Sequence, residues 1–358
     1  MIKRFGNFLS ENTDIVLNYY AFDWDDNLLF MPTKINMEFK IGDKWLPKPV
    51  STEHFAEIRE NKDNWRPAEN AFIEFSDNGP RGEMAFIEDM QIAINKEKAP
   101  SWEQFIKCLE SGSVFAIITA RGHSPKTIRT GVEWIIDNYL SSEQKRTMYN
   151  NCLSFYYIFN KPGLFEPTYE NISKHPLISG WLDNCGFYGV SYPEFIQKHA
   201  SGGASKPEKG KEIALKEFVE RVSQFASHLK VKFKLGFSDD DLKNSLHIKS
   251  VLSEIKDMYP EGEFTNIYTG KGEYRKEDIV VESTHSIQAP GMQGSVMSFT
   301  KYNNMAARLF PANDKDNDPV ANTNRLYTDY ITSQSKEWTK DLKKPSVHRR
   351  KKKTKNKL

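Results

Sequence analysis

Two carboxylates separated by one residue, Asp23 and Asp25, directly follow the apolar run IVLNYYAF at residues 15–22. In a β-strand, side chains alternate between faces, so both carboxylates would lie on one side of the chain. Close carboxylates repel; a divalent cation relieves the repulsion, and oxygen-only ligands suit Mg²⁺. With that cation screening the approach of one anion to another, Asp23 can attack phosphorus. Asp25 can protonate the leaving oxygen and later activate water. Thr119 ends a second apolar run, residues 114–118, and its hydroxyl together with the amides that follow suits a phosphoryl oxygen. Ala120 and Arg121 continue that loop, and the Arg121 guanidinium can reach a substrate phosphate. SKPEKGKEIAL then puts lysines at a helix start, where the helix dipole favours anions. A lysine so placed points to work on a phosphate and on a carboxylate nucleophile; Lys206 and Lys209 are the two candidates. Finally, LGFSDDDLKN closes a third apolar run with acids. The expected metal ligands are therefore Asp23, Asp25, Asp239 and Asp240, with Asp241 ranked behind them.

Each of these features has a plainer counterpart. Asp-x-Asp can be an acidic turn, Thr119 a threonine before a loop, the lysines a solvated turn and the last acids a helix start. Their order along the chain is what argues against four coincidences. In that order the chain resembles the haloacid dehalogenase superfamily of phosphohydrolases. AFDWDDN resembles its first motif, IITARG the second, SKPEKGK the third and GFSDDD the fourth. The resemblance covers roughly residues 14 to 270, insertions excluded, and the first motif is the most specific. It implies a Mg²⁺-dependent phosphatase working through an aspartyl-phosphate, with Asp23 as nucleophile, Asp25 as acid and base, and Thr119 at the phosphate. It also implies that cap insertions set the substrate. Two departures stand in the first motif: Asn27 replaces the usual Thr or Val, and Asp26 replaces a frequent Gly. A Ser or Asp stands where many members have Gly before the last acids.

These residues need strands and helices to hold them. The pattern of residues 15–22, 114–118, 186–192, 231–237 and 264–268, separated by helical periodicity at 128–140, 207–229 and 246–258, implies an α/β fold. The expectation is a Rossmann-like parallel sheet, a HAD-like core, made of residues 1–30 and 101–284. Such sheets bind ligands beyond the carboxyl ends of their strands. Residues 31–100 read as a partly β cap insertion, with a hairpin at Gly42–Asp43, a short strand at 71–75, and Ser101 capping the next helix. Residues 285–358 are rich in Gly, Pro, Asn and Asp and read as a loosely ordered, low-complexity extension.

At 358 residues and 38% hydrophobic, the chain can bury a large core carrying insertions. Three scattered cysteines form no disulfide framework or zinc pattern, which favours a reducing, cytoplasmic compartment. No run of about 18 apolar residues predicts a membrane span, and the N-terminus has no signal-peptide-like run. The net charge of +2 hides a basic tail. Residues 343–358 hold nine Lys or Arg and no acid, and without them 41 basic residues face 48 acidic ones. Such a tail suits a phosphate backbone. The expected partner is a small phosphate ester; the alternative is a nucleic-acid-associated protein, or a polynucleotide-end phosphatase held by the tail.

Overall fold

The β-branched and aromatic run after residue 15 forms β1, Val16–Phe22, in a computed structural model that describes residues 16–156, 169–229 and 231–280. The chain then leaves for a small antiparallel sheet. Strands β2 (Ile35–Ile41) and β3 (Lys44–Val50) form the expected hairpin, with Gly42 in the left-handed region at φ +59°. Ser51 caps α1 (Thr52–Ile58) by accepting from the His54 N–H, and β4 (Trp65–Pro67) takes the other edge of β2. With both edges of β2 taken, residues 71–75 are not the expected strand. They turn through a 3-10 segment, Ile73–Phe75, that buries Phe75 beside Ile35, Met37, Val50 and Trp65.

The chain continues through α2 (Met84–Ala93), α3 (Trp102–Ser111), β5 (Phe115–Thr119) and α4 (Pro125–Trp134), which runs on through a wider turn at Ile135–Tyr139. Next come α5 (Ser142–Tyr156), α6 (Pro176–Asn184), β6 (Gly186–Gly189) and α7 (Pro193–Lys198). The last elements are α8 (Pro207–Leu229), β7 (Lys232–Asp239), α9 (Leu242–Met258), β8 (Gly262–Tyr268) and β9 (Arg275–Asp278).

The large sheet has the order β6-β5-β1-β7-β8-β9. Its first five strands are parallel; β9 runs antiparallel to β8, so the sheet is mixed rather than wholly parallel. A short reversal after Tyr268 suffices for an antiparallel neighbour, whereas a parallel one needs a full crossover. Both faces are covered, as parallel strands require. Alternate residues of β1 and β5 divide between them. Phe22 and Ile117 join Phe105, Ile128 and Trp181 on one face, while Ala21 and Ile118 join Phe218, Ile248 and Leu252 on the other.

Within the stretch expected as an insertion, residues 35–75 build a cluster of their own, but Phe86, Met90 and Ala93 of α2 pack into the core of the large sheet. The three cysteines are buried and free. Among the described residues no helix is long and apolar enough to cross a membrane. The whole C-terminal extension with its basic tail, and residues 157–168, lie outside the described residues.

Candidate active site

Parallel strands deliver their C-terminal ends to one edge of the sheet. Phe22 is level with Ile117 of β5 and with Ser238 of β7, so Asp23, Thr119 and Asp239 emerge at that edge together. The Asp23 N–H donates to the Ser238 carbonyl at 2.9 Å and extends the strand by one residue. Carboxylate oxygens of Asp23, Asp239 and Asp240 lie within 4.8 Å of one another. Asp23 and Asp239 are buried.

A lysine completes this group, and it is Lys211. Its Nζ lies 2.7 Å from Asp239 Oδ2 and 3.0 Å from Asp23 Oδ1, with the side chain 2% exposed. Neither sequence candidate does this: Lys206 is exposed and Lys209 pairs with Glu212 at 2.6 Å. The helical period carried the signal. Lys211 falls on the buried stripe of α8 with Ala214, Leu215, Phe218, Val219 and Val222, whereas 206 and 209 fall off it. Gly210 permits the approach, because a Cβ there would stand 2.8 Å from the Val190 Cβ just after β6.

Burial pushes the Asp23 carboxyl up; Lys211 opposes the rise, and Asp239 and Asp25 add to it. Asp240 is pushed well above the carboxylate range by burial and then by Asp239, Asp23 and Asp26. Burial also raises Asp239, against Lys211. Burial lowers the Lys211 ammonium, but Asp23 and Asp239 outweigh it and hold the lysine charged. Three carboxylates facing one ammonium leave about two negative charges short of balance, which suits one divalent cation with oxygen ligands. Beyond its ion pair with Lys211, Asp23 Oδ1 has no other hydrogen-bond partner among the described residues.

Asp25 is not in this group. Both its oxygens accept from Arg121, Oδ2 from Nε at 2.8 Å and Oδ1 from Nη2 at 2.7 Å. Two expectations change as a result. The structure does not bring Asp25 into the set that could hold a metal, and Arg121 is not an open phosphate-binding side chain. Its guanidinium is 1% exposed, 4.4 Å from the Phe75 ring, with Thr33 Oγ1 accepting from Nη2 at 2.9 Å. The loop amides are largely taken as well. Arg121 N–H donates to Thr119 Oγ1, Gly122 N–H to the Phe75 carbonyl and Ser124 N–H to Asp77. Thr119 is buried at the sheet edge and Ala120 is exposed. His123, just after this loop, is fully buried against Asp77.

Besides Lys211, Asn27 and Asp26 have roles that sequence reasoning missed. The Asn27 amide donates to the Asp23 carbonyl at 2.9 Å and to Ser238 Oγ at 2.9 Å, and its Oδ1 accepts from Ser101 Oγ and Thr269 Oγ1, both at 2.8 Å. It therefore ties together the ends of β1, β7 and β8 and the start of α3. Ser101 precedes α3 as expected, but its hydroxyl goes to Asn27 and makes no cap. Asp26 takes φ +54°, the region where Gly is common, and burial pushes its carboxyl up to about 6. Asp241 is occupied elsewhere: it caps α9 and pairs with Arg59, at the end of α1, at 2.7 Å. That pair ties the insertion to the core beside the acidic group. No family model, curated protein or solved structure matches the chain.

Proposed function

We propose that the protein is a Mg²⁺-dependent phosphohydrolase of the haloacid dehalogenase kind, acting on phosphate monoesters with Asp23 as nucleophile. The observation that carries this reading is Lys211 lodged between Asp23 and Asp239 within the three-carboxylate group. A buried ammonium there neutralises part of the charge that an attacking carboxylate and an incoming phosphate would otherwise oppose. Asp23, Asp239 and Asp240 would hold the cation, which when bound screens the phosphoryl oxygens.

In the first step an Asp23 oxygen forms a bond to phosphorus as the ester P–O bond breaks. The leaving oxygen takes its proton from the Asp25 carboxyl. In the second step Asp25 takes a proton from water as that water attacks phosphorus, releasing phosphate and restoring the Asp23 carboxylate. Thr119, at the same sheet edge, would meet a phosphoryl oxygen in this reading. The insertion, tied to the core by the Arg59–Asp241 pair, would help exclude water in this reading.

The test is release of phosphate from p-nitrophenyl phosphate and a panel of alkyl and nucleotide monoesters with Mg²⁺. Wild type should turn over, and Asp23→Asn should lose at least about 10³-fold in kcat while keeping its far-ultraviolet circular dichroism. Equal inactivity of both proteins across the panel would sink the reading.

A further inference from the structure

Arg121 is held from two sides, and the two sides belong to different parts of the fold. Toward the site, its fork grips Asp25 through both oxygens, at 2.8 and 2.7 Å. A planar guanidinium bonded in this way fixes the direction of the carboxyl as well as its distance. Toward the insertion, Nη2 also donates to Thr33 Oγ1 at 2.9 Å. Thr33 in turn donates to Asp89, which Arg81 pairs at 2.9 Å. The guanidinium also lies 4.4 Å from the ring centre of Phe75, and the neighbouring Gly122 N–H donates to the Phe75 carbonyl at 2.7 Å.

We propose that Arg121 is the positioning residue for Asp25, and that Thr33 and Phe75 set how firmly it holds. The proposal rests on the phosphohydrolase reading, because it assigns Asp25 the proton transfers of that reaction. Asp25 must free one oxygen to exchange a proton. When Nη2 releases Oδ1, the Nε bond to Oδ2 and the Thr33 bond to Nη2 remain, so the carboxyl stays aimed and the guanidinium does not follow it. A lysine at this position has no such fork. The insertion thereby contributes to proton transfer through Arg121, and loosening it at Thr33 loosens the acid.

Leaving-group dependence tests this. An aryl phosphate such as p-nitrophenyl phosphate expels a stable anion and needs little protonation; an alkyl phosphate such as glycerol phosphate needs a general acid. Arg121→Lys should lower kcat/KM on the alkyl ester about 10²-fold and on the aryl ester only a few-fold; kcat/KM is the quantity read because hydrolysis of the aspartyl-phosphate, which also uses Asp25, is common to both esters. Thr33→Val, which removes no charge, should show the same pattern at roughly 3- to 10-fold on the alkyl ester. In an Asp25→Asn background, Arg121→Lys should add almost nothing, since it acts through Asp25. A crystal structure of Thr33→Val should show Lys211 still between Asp23 and Asp239. The proposal is overturned if the variants lower kcat/KM equally for both esters, or if the Arg121 and Asp25 losses simply multiply. Wild type inactive on both esters would instead remove the phosphohydrolase reading, and this inference with it.

Discussion

A charged side chain on the apolar stripe of a helix is expensive unless something inside receives it. Lys211 meets that condition with two carboxylates, and the lysines two and five residues before it do not. Removing its charge should therefore act on turnover. Lys211→Met should lower kcat about 10²-fold or more, whereas Lys206→Met and Lys209→Met should stay within about 2-fold. If Lys209→Met alone abolished turnover, the assignment would move to the exposed end of the helix. Asp23, Asp239 and Asp240 were legible as acids at strand ends because extended runs stop at them. Lys211 was missed because motif spacing, not helical phase, guided the choice. Arg121 was legible as a charge near the site, but its partner was not, since Asp25 lies 96 residues away in the chain.

Among the elements, the ends of β1, β7 and β8 are held by hydrogen bonds that a single side chain distributes. Asn27 has two N–H donors and a carbonyl oxygen that accepts two bonds, and all are used. Asn27→Ala leaves the hydroxyls of Ser101, Ser238 and Thr269 without that partner in a buried setting. The expected cost is about 2–4 kcal/mol of unfolding free energy, read by urea titration with an unchanged m-value. Calorimetry should also show weaker Mg²⁺ binding, because Asp23 and Asp239 lose their common brace. A cost below about 0.5 kcal/mol would mean the ladder alone holds these ends. The strands and longest helices were legible because apolar periodicity is a local property; α8 begins and ends where the sequence places it. The 3-10 turn at Ile73–Phe75 and the antiparallel β9 were not, because which sheet edges remain open depends on the rest of the chain.

Across the whole molecule, the proposed metal site should make stability depend on pH and on Mg²⁺. Burial pushes Asp23 up to about 8 and Asp240 well above the carboxylate range, so the metal-free native group holds protons that the unfolded chain has released. That contribution favours the fold at lower pH and is lost as pH rises through about 8. Asp77 and Asp241 are shifted down, so their contributions change only below the usual carboxylate range. With a chelator present, the melting temperature should fall between about pH 7 and about pH 9. Added Mg²⁺ takes over the role of the proton, so the rise it causes should be larger at the higher pH, with about 2–4 °C for each kcal/mol. An equal rise at both pH values would show that no proton is displaced from the group.

By itself, the sequence determined that the fold is α/β, that acidic residues close two of its apolar runs and a threonine a third, and that a hairpin-bearing segment follows the first. Those are consequences of local periodicity and turn chemistry, written in contiguous residues. Only the tertiary structure decided that Lys211 is the lysine between Asp23 and Asp239, that Asp25 faces Arg121 rather than the other acids, and that Asn27 braces three strand ends. Each of these joins segments far apart in the chain, and parallel strands meet at one edge only after the crossovers between them have folded. Register and packing, which no local pattern contains, select the partner of each charge.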